Sequence, residues 1–503
     1  MTSYLIGVDI GTESGRAVLF NQNGKVVSSS SYNYPVYYPG KGKAEQNPED
    51  WWQATIVNIE NVITGADIDT EKISGIGVCG QMHAAVPIDS KGNVLLEKVP
   101  IWCDKRSRID DLKNTGLKNI TANTVNPTWT GFKIRWFKEN HPELYKNTYK
   151  FLACKDYINY MLTGEIYTDY SDASGTYLLD IHKNDWSEKV INMLNIDSKR
   201  LPSIRRSNCI IGTVKKNLLN DLGINKNRDI KVVCGGGDMM CLLLGAGMVE
   251  EGIGCDVTGT AADVSCCSRE PLLDERIMNL HHVVEDYWVP YGILDSGGGS
   301  LQWFKNNFGK IEEKKAEKEN ISVYEIFSQQ ASSVKPGSNG LIFLPYLMGE
   351  RNLGSVNSRG VFFGMDSTHN KKHLIRAIME GVTYDLKQSL DIIKEELNLL
   401  ELRVIGGGAN SDVWLNIKAN IYNIPILTLD NFEGGAIGAA ILAGVGTKVF
   451  TDEKEAVEKM INIENKIYPA QEEIKLYDKY YKLFKLLHDD FQEYYRKLAK
   501  LTN

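Results

Sequence analysis

Two short segments place a glycine and a threonine together where an apolar run ends. "VDIGT" carries Asp9 just before Gly11 and Thr12, and "VTGTA" carries Gly259 and Thr260. A tight glycine turn exposes backbone N–H groups, and with a threonine hydroxyl beside them it is suited to hold phosphate oxygens. A carboxylate before such a turn can hold Mg²⁺ through water, because Mg²⁺ keeps several waters when it bridges phosphates. We therefore predict two phosphate-binding turns, with Asp9 linked to Mg²⁺.

Two further glycine loops follow apolar runs, "CGGGDMM" and "VIGGGANS". None of the four loops has the Gly-Lys-Ser/Thr spacing of a Walker A motif. Any one of them alone reads as an ordinary strand-to-helix turn. Four such loops, two in each half of the chain, instead favour a nucleotide held between two lobes.

The elements that must position these loops repeat along the chain. "YLIGVDIG", "GRAVLF" and an Asn-Gly turn at Asn23–Gly24 predict a strand, a turn and a hairpin, and "GIGCDV", "TGTA" and "ADVSCCS" restart that order after residue 250. Helical segments lie between, so the predicted class is α/β with an internal duplication. The C-terminal segment predicts a helix packed on the body through Leu476, Tyr480, Leu483, Leu487, Phe491 and Tyr494.

The amino-acid composition limits the classes of molecule that the protein could bind. The 503 residues are 43% hydrophobic and 24% charged, with a net charge of −7. That balance is typical of a globular protein and argues against nucleic acid or an anionic membrane as the main partner. Nine cysteines without a metal-ligand spacing indicate a reduced, cytoplasmic chain. We read no signal peptide and no run long enough to span a bilayer.

Longer stretches carry a strong resemblance to the FGGY carbohydrate kinases. "GVFFGMDSTHNKKHLIRAIMEG", residues 360–381, is similar to the C-terminal signature of that family, and "TGFKIRWFKEN", residues 130–140, to its N-terminal signature. Within the family the chain most resembles xylulokinases, through "GQMH", "WCDKR", "KDYINYMLTGE", "SDASGTYLLD" and "FLPYLMGER". The resemblance implies the duplicated actin-like ATPase (ribonuclease H-like) fold. It implies an N-terminal sugar-binding lobe, residues 1–248, and a C-terminal nucleotide-binding lobe with the terminal helices, residues 249–503.

The resemblance also implies roles for individual residues. Asp238 becomes the general base that accepts the proton of the attacking sugar hydroxyl, which phosphoryl transfer requires. A plainer alternative is that Asp238 only caps the following helix. The implied sugar-binding residues are Gln81, Met82, His83, Trp102, Asp104, Arg106, Asp238 and Met239. Trp102 could instead belong to the core, and Asp104 with Arg106 could form a surface ion pair.

The implied cofactors are ATP and Mg²⁺. The nucleotide-binding residues are Gly11, Thr12, Gly259, Thr260, Gly298, Gln302, Gly407, Gly408 and Asn410. Asp9 and Asp238 would hold the metal through water and the ATP phosphates. The resemblance leaves a homodimer open.

Three departures from the xylulokinase pattern bear on the substrate. Met239 stands where asparagine is usual after the catalytic aspartate, Ala84 replaces a glycine, and Ala261–Ala262 replace serine and glycine. A polar contact exchanged for an apolar one can redirect specificity. The resemblance to xylulokinases implies D-xylulose as the leading substrate. The three departures keep open the alternatives of L-xylulose, ribulose, a deoxy or branched pentulose, a polyol, or a substrate similar to autoinducer-2. An actin-like ATPase switch and an inactive sugar-binding regulator are alternatives of another class.

Overall fold

The computed structural model describes residues 3–112, 116–351, 353–430 and 432–502. The strands of the first half are β1 Tyr4–Ile10, β2 Ser14–Asn21, β3 Val26–Asn33, β4 Tyr37–Gly40, β5 Lys43–Gln46, β6 Ile73–Gly80, β7 Val86–Ile88, β8 Val99–Pro100, β9 Lys150–Leu152, β10 Tyr167–Asp169, β11 Leu179–Asp180, β12 Asp185–Trp186, β13 Ser203–Arg205, β14 Ile210–Thr213, β15 Lys231–Val233 and β16 Gly236–Gly237. Those of the second half are β17 Ile253–Thr258, β18 Ala262–Cys266, β19 Met278–His281, β20 Trp288–Leu294, β21 Ile342–Leu344, β22 Val361–Phe363, β23 Glu401–Ile405, β24 Ile426–Leu429 and β25 Ile463–Ile467.

The α-helices of the first half are α1 Pro48–Thr64, α2 Lys118–Thr121, α3 Thr130–Asn140, α4 Pro142–Asn147, α5 Cys154–Thr163, α6 Tyr170–Ser174, α7 Glu188–Met193, α8 Lys216–Leu219 and α9 Asp238–Gly245. Those of the second half are α10 Gly299–Phe308, α11 Lys310–Glu319, α12 Val323–Ser332, α13 Lys371–Glu396, α14 Asp412–Tyr422, α15 Gly435–Gly446, α16 Glu453–Met460 and α17 Gln471–Thr502. Single turns of 3₁₀-helix cover Thr70–Lys72, Asp110–Leu112, Ser198–Arg200, Ser338–Gly340 and Gly407–Asn410.

The two large sheets share the same central strand order, to which the first adds β16 beside β6 and the second adds β19 at one edge. The first runs β14-β15-β6-β1-β2-β3, and the second runs β19-β20-β18-β17-β23-β24-β25. In the first, β1 pairs antiparallel with β2 and parallel with β6. In the second, β17 pairs antiparallel with β18 and parallel with β23. An antiparallel meander joined to parallel strands thus occurs twice, which confirms the predicted α/β class and its duplication.

One helix of the second half packs on the sheet of the first half. Residues 435–444 of α15 are all buried, and the helix lies on β1, β6 and α9. A Cβ built on Gly7 would lie 1.8 Å from the carbonyl oxygen of Ala436, and one on Gly77 would lie 1.9 Å from that of Ala439. The helix backbone therefore touches the strands directly, which only glycine allows at these two positions.

The C-terminal helix α17 packs on the body as predicted, but through a stripe that overlaps the predicted one only in part. Its buried residues are Ile474, Tyr477, Tyr481, Phe484, Leu487, His488 and Tyr495. Leu476, Leu483 and Tyr494 are 36%, 40% and 60% exposed, so the prediction was wrong at these three positions. Leu487 is buried, and Tyr480 and Phe491 are half-buried against the core, as predicted. The sequence pattern misled because tyrosines and leucines occur on both faces of this helix, and either set satisfies a helical period.

Among the described residues, no helix combines the length and apolarity needed to cross a membrane.

Candidate active site

The triple glycine lies where three different groups approach the backbone. Gly235 has a φ of +70°, and a Cβ built on it would lie 1.8 Å from the carbonyl oxygen of Val78. A Cβ on Gly236 would lie 2.2 Å from Val283, and one on Gly237 would lie 2.7 Å from Met82. At each of the three positions a side chain would therefore clash with a different neighbour. The close approach that the glycines allow brings the next residue, Asp238, near the "GQMH" segment.

Asp238 is the first residue of α9, and Gly237 takes the N-cap position. Its Oδ1 accepts a hydrogen bond of 2.7 Å from the N–H of Met239. Burial and the negative charge of Asp9 raise the pKa of Asp238 to about 7. A carboxylate with a pKa near neutrality is a competent proton acceptor at physiological pH, and the helix N-terminus favours its charged form.

Asp9 is the next-to-last residue of β1 and lies at the N-terminus of α15. The N–H of Gly435 and the thiol of Cys79 donate to its carboxylate, although burial still raises its pKa. A Cβ on Gly435 would lie 3.0 Å from Asp9 Oδ2. Among the described residues no cluster of three or more His, Cys, Asp or Glu side chains could hold a metal ion. Two neighbouring carboxylates, Asp9 and Asp238, suit an ion that takes its other ligands from phosphate and water.

His83 is held in one tautomer. Its φ is 65°, and its Nδ1 lies 2.8 Å from the carbonyl oxygen of Gly175. A carbonyl only accepts, so Nδ1 carries the proton and Nε2 is left as an acceptor. Burial and the charge of Lys133 lower the pKa of His83 to about 3, so the ring is neutral at physiological pH. Nε2 can therefore accept a hydrogen bond from a ligand hydroxyl.

Gln81 and Trp102 lie against the first phosphate turn. Gln81 is buried, and its Nε2 donates to the carbonyl oxygen of Gly11 at 3.3 Å and to Gln46 at 2.6 Å. Trp102 Nε1 donates to the hydroxyl of Thr12 at 2.9 Å. These contacts join the predicted sugar-binding segments to the predicted phosphate turn. The side-chain amide of Gln81 thus donates to other residues of the protein.

Asp104 and Arg106 form a buried pair, so the surface alternative was wrong. Asp104 is 0% exposed. Arg106 donates to both of its carboxylate oxygens, at 2.8 and 2.7 Å, and to Glu45 at 2.7 Å. Asp104 also accepts from the N–H of Ala44 at 2.7 Å. The pair fixes the loop after Trp102 and commits Nε and Nη2 of the guanidinium to carboxylates.

A cavity of about 450 Å³ opens in the second half. Of the predicted nucleotide residues it brings together Gly259, Thr260, Gly298, Gln302, Gly407, Gly408 and Asn410. The N–H of Gly298 donates to the carbonyl oxygen of Gly259 at 2.8 Å, which ties two of these loops together. Gly11 and Thr12 do not line this cavity and lie in the turn between β1 and β2 of the first sheet.

Several lining residues were missed by the sequence reasoning. Thr258, Leu301, Tyr324, Met379 and Trp414 form much of the wall. They come from strand β17 and from four separate helices, α10, α12, α13 and α14. Thr258 had a signal in its place next to Gly259. The other four are ordinary helix residues whose common location depends on packing.

Comparison with known proteins shows which protein family the chain belongs to. The models of the N-terminal and C-terminal domains of the FGGY family of carbohydrate kinases match residues 4–245 and 257–447. The xylulose kinase of Bacillus subtilis (strain 168) is 35% identical over 494 residues, 96% of each chain. The gluconokinase of the same organism is 30% identical over 99% of this chain and 98% of its own. The ligand-bound xylulose kinase of Lactobacillus acidophilus superposes with a TM-score of 0.90 at 26% identity, covering 99% of this chain and all of its own. The chain belongs to the FGGY family of carbohydrate kinases.

Proposed function

We propose that the protein transfers the γ-phosphoryl group of Mg-ATP to a hydroxyl of a neutral ketopentose, with D-xylulose, which would become D-xylulose 5-phosphate, as the leading substrate. The observation that carries the proposal is Asp238: a buried carboxylate with a pKa near 7, at the end of a glycine turn packed on Met82. The similarity to xylulose kinases supports the choice of sugar.

In this mechanism the second half of the chain binds the nucleotide, and the first half binds the sugar and accepts its proton. The cavity at Gly259–Thr260 and Gly407–Asn410 binds the nucleotide, and the turn at Gly11–Thr12 contacts the phosphates from the other side. His83 Nε2 accepts a hydrogen bond from a sugar hydroxyl and so orients the sugar. Asp238 takes the proton of the attacking hydroxyl as its oxygen bonds to phosphorus. Asp9 and Asp238 would hold Mg²⁺, which when bound would supply positive charge against the phosphoryl oxygens.

The charges near the sugar segments favour a neutral substrate over an aldonate such as gluconate. Three cations lie near His83 and Asp104, and each is already engaged. Arg106 is paired with Asp104 and Glu45. Arg351, close enough to affect His83, pairs with Asp295 through two contacts of 3.0 and 2.6 Å.

Lys133 is the third cation. It is 0% exposed and donates to the carbonyl oxygens of His83, at 2.9 Å, and Thr128. Burial lowers its pKa to about 7, partly opposed by Asp104. Arg106 and Arg351 are therefore already paired with carboxylates, and Lys133 is bound to two backbone carbonyls and only partly charged at neutral pH. Among these three described cations, a substrate carboxylate would thus find no fully charged, unpaired partner, and burying it would be costly.

The test is ADP release from Mg-ATP, measured with D-xylulose, L-xylulose, D-ribulose, xylitol and D-gluconate. D-xylulose should give the highest kcat/KM, and gluconate should not exceed the rate without sugar. A higher kcat/KM for gluconate would contradict the neutral-substrate proposal. If no sugar raises the rate while ATP still binds, the ATPase-switch or regulator alternatives replace the kinase.

A further inference from the structure

We propose that Lys418 is a positioning residue for the nucleotide, acting through a buried ion pair that holds Thr258 and joins two walls of the nucleotide cavity. The proposal rests on the assignment of this cavity to ATP. Lys418 belongs to none of the sequence motifs described above.

The contacts form a closed network. Lys418 lies on α14, is 0% exposed, and pairs with Asp256 of β17, which is also 0% exposed. Its Nζ also donates to the hydroxyl of Thr258 at 2.6 Å. That hydroxyl in turn donates to Asp256 at 2.7 Å, and Tyr422 donates to the other oxygen of Asp256 at 2.8 Å. Every polar group of the pair therefore has a partner, as a buried network requires.

Thr258 is where the two walls meet. It ends β17 and leads directly into the turn at Gly259–Thr260. A Cβ built on Gly406 would lie 2.7 Å from the carbonyl oxygen of Thr258, and one on Gly408 would lie 2.7 Å from its Cβ. The Gly407–Asn410 loop thus rests on Thr258, so a shift of this one side chain would displace both loops.

Lys418 adds a second connection between the same walls. It lies on α14, and Trp414 one turn earlier on that helix lines the cavity. The lysine therefore links that side of the cavity to the strand that carries the phosphate turn.

Stability alone does not account for a lysine here. A buried ion pair gains little over apolar residues of similar volume, because both charges lose their water. Burial lowers the pKa of Lys418, which Asp256 partly opposes. What an apolar residue cannot supply is a pair of N–H donors that fix Asp256 and the rotamer of Thr258 together. The ion pair therefore fixes the positions of the side chains next to the phosphate turn.

The experiment measures ATP affinity by calorimetry in the absence of sugar, and KM and kcat with sugar. The variants are Lys418→Met, the neutral double variant Asp256→Asn with Lys418→Met, and Thr258→Val, which keeps the shape of the side chain without its hydroxyl. We expect ATP affinity to fall at least tenfold in the first two and severalfold in the third. The KM for sugar should stay within twofold, and kcat at saturating ATP within threefold.

Lys155→Met is the matched control, because Lys155 is equally buried in an ion pair with Asp156 and Asp169 in the first half. It should leave ATP affinity unchanged. Folded Lys418 variants, or a Thr258→Val variant, that bind ATP like the unaltered protein overturn the proposal while leaving the kinase intact. If the unaltered protein binds no ATP, the proposed function fails together with this inference.

Discussion

At the scale of single residues, the environment of Asp238 predicts a pH dependence. Its pKa is raised to about 7, so the carboxylate is increasingly protonated below that pH. The general base must be ionised, so kcat/KM for the sugar should level off above pH 7 and fall about tenfold per unit below it. Asp238→Asn should reduce kcat by at least about a hundredfold and flatten the profile. Steady-state rates from pH 5 to 9 check this, and an unchanged acidic limb in the variant would contradict it.

The tautomer of His83 makes a separate prediction. Nε2 is an acceptor because Nδ1 donates to Gly175. His83→Gln keeps a polar group but loses this arrangement, so the KM for sugar should rise about tenfold, the equivalent of one hydrogen bond. The KM for ATP should not change. An equal rise in both constants would show that the substitution disturbs the fold instead.

At the scale of elements, the contact between α15 and β1 should tolerate no side chain at Gly7. Gly7→Ala places a Cβ 1.8 Å from the Ala436 carbonyl oxygen. The strand or the helix must move, which should lower the free energy of unfolding by about 1–3 kcal/mol. Gly40→Ala is the control, since its nearest neighbour would be a lysine side-chain atom 3.9 Å away. Urea denaturation of both variants measures the difference, and equal stabilities would refute the close contact.

The C-terminal helix α17 should make stability depend on pH through His488. Burial lowers the pKa of His488, but the hydrogen bond and charge of Glu350 raise it overall to about 9. The pair should therefore stabilise the fold fully below pH 6.5, and this contribution, at most about 3 kcal/mol, should be lost as pH rises through 9. Denaturant titrations at pH 6.5, 8 and 9.5 measure the slope. His488→Gln should reduce that slope, and a variant with the same pH dependence would rule the pair out as its source.

At the scale of the whole molecule, the halves should not fold independently. The face of β1 and β6 that carries Gly7 and Gly77 is covered by α15, which comes from the second half. The fragment 1–248 would expose that face, so we expect it to aggregate or to unfold without cooperativity. Co-expression with 249–503 should restore a soluble complex. A fragment that unfolds cooperatively by itself, as followed by near-ultraviolet circular dichroism, would contradict this.

The fold class, the family and part of the nucleotide cavity could be predicted from the sequence alone. The repeated order of strand, glycine turn and hairpin indicated a duplicated α/β fold, because glycine and alternating apolar residues act locally on the backbone. The signature segments identified the family, and the glycine loops at Gly259 and Gly407 marked residues that share one cavity.

Other features depended on tertiary structure. The reason for each glycine at 235–237 lies in Val78, Val283 and Met82, which are far away in sequence. The tautomer of His83, the burial of Asp104 and the Lys418–Asp256 pair all depend on partners brought close by packing. The buried face of α17 was predicted only in part, because two overlapping stripes fit the same period and only contact with the body selects one. Local patterns report backbone geometry, whereas the charge, protonation and orientation of a side chain depend on neighbours that only the folded chain supplies.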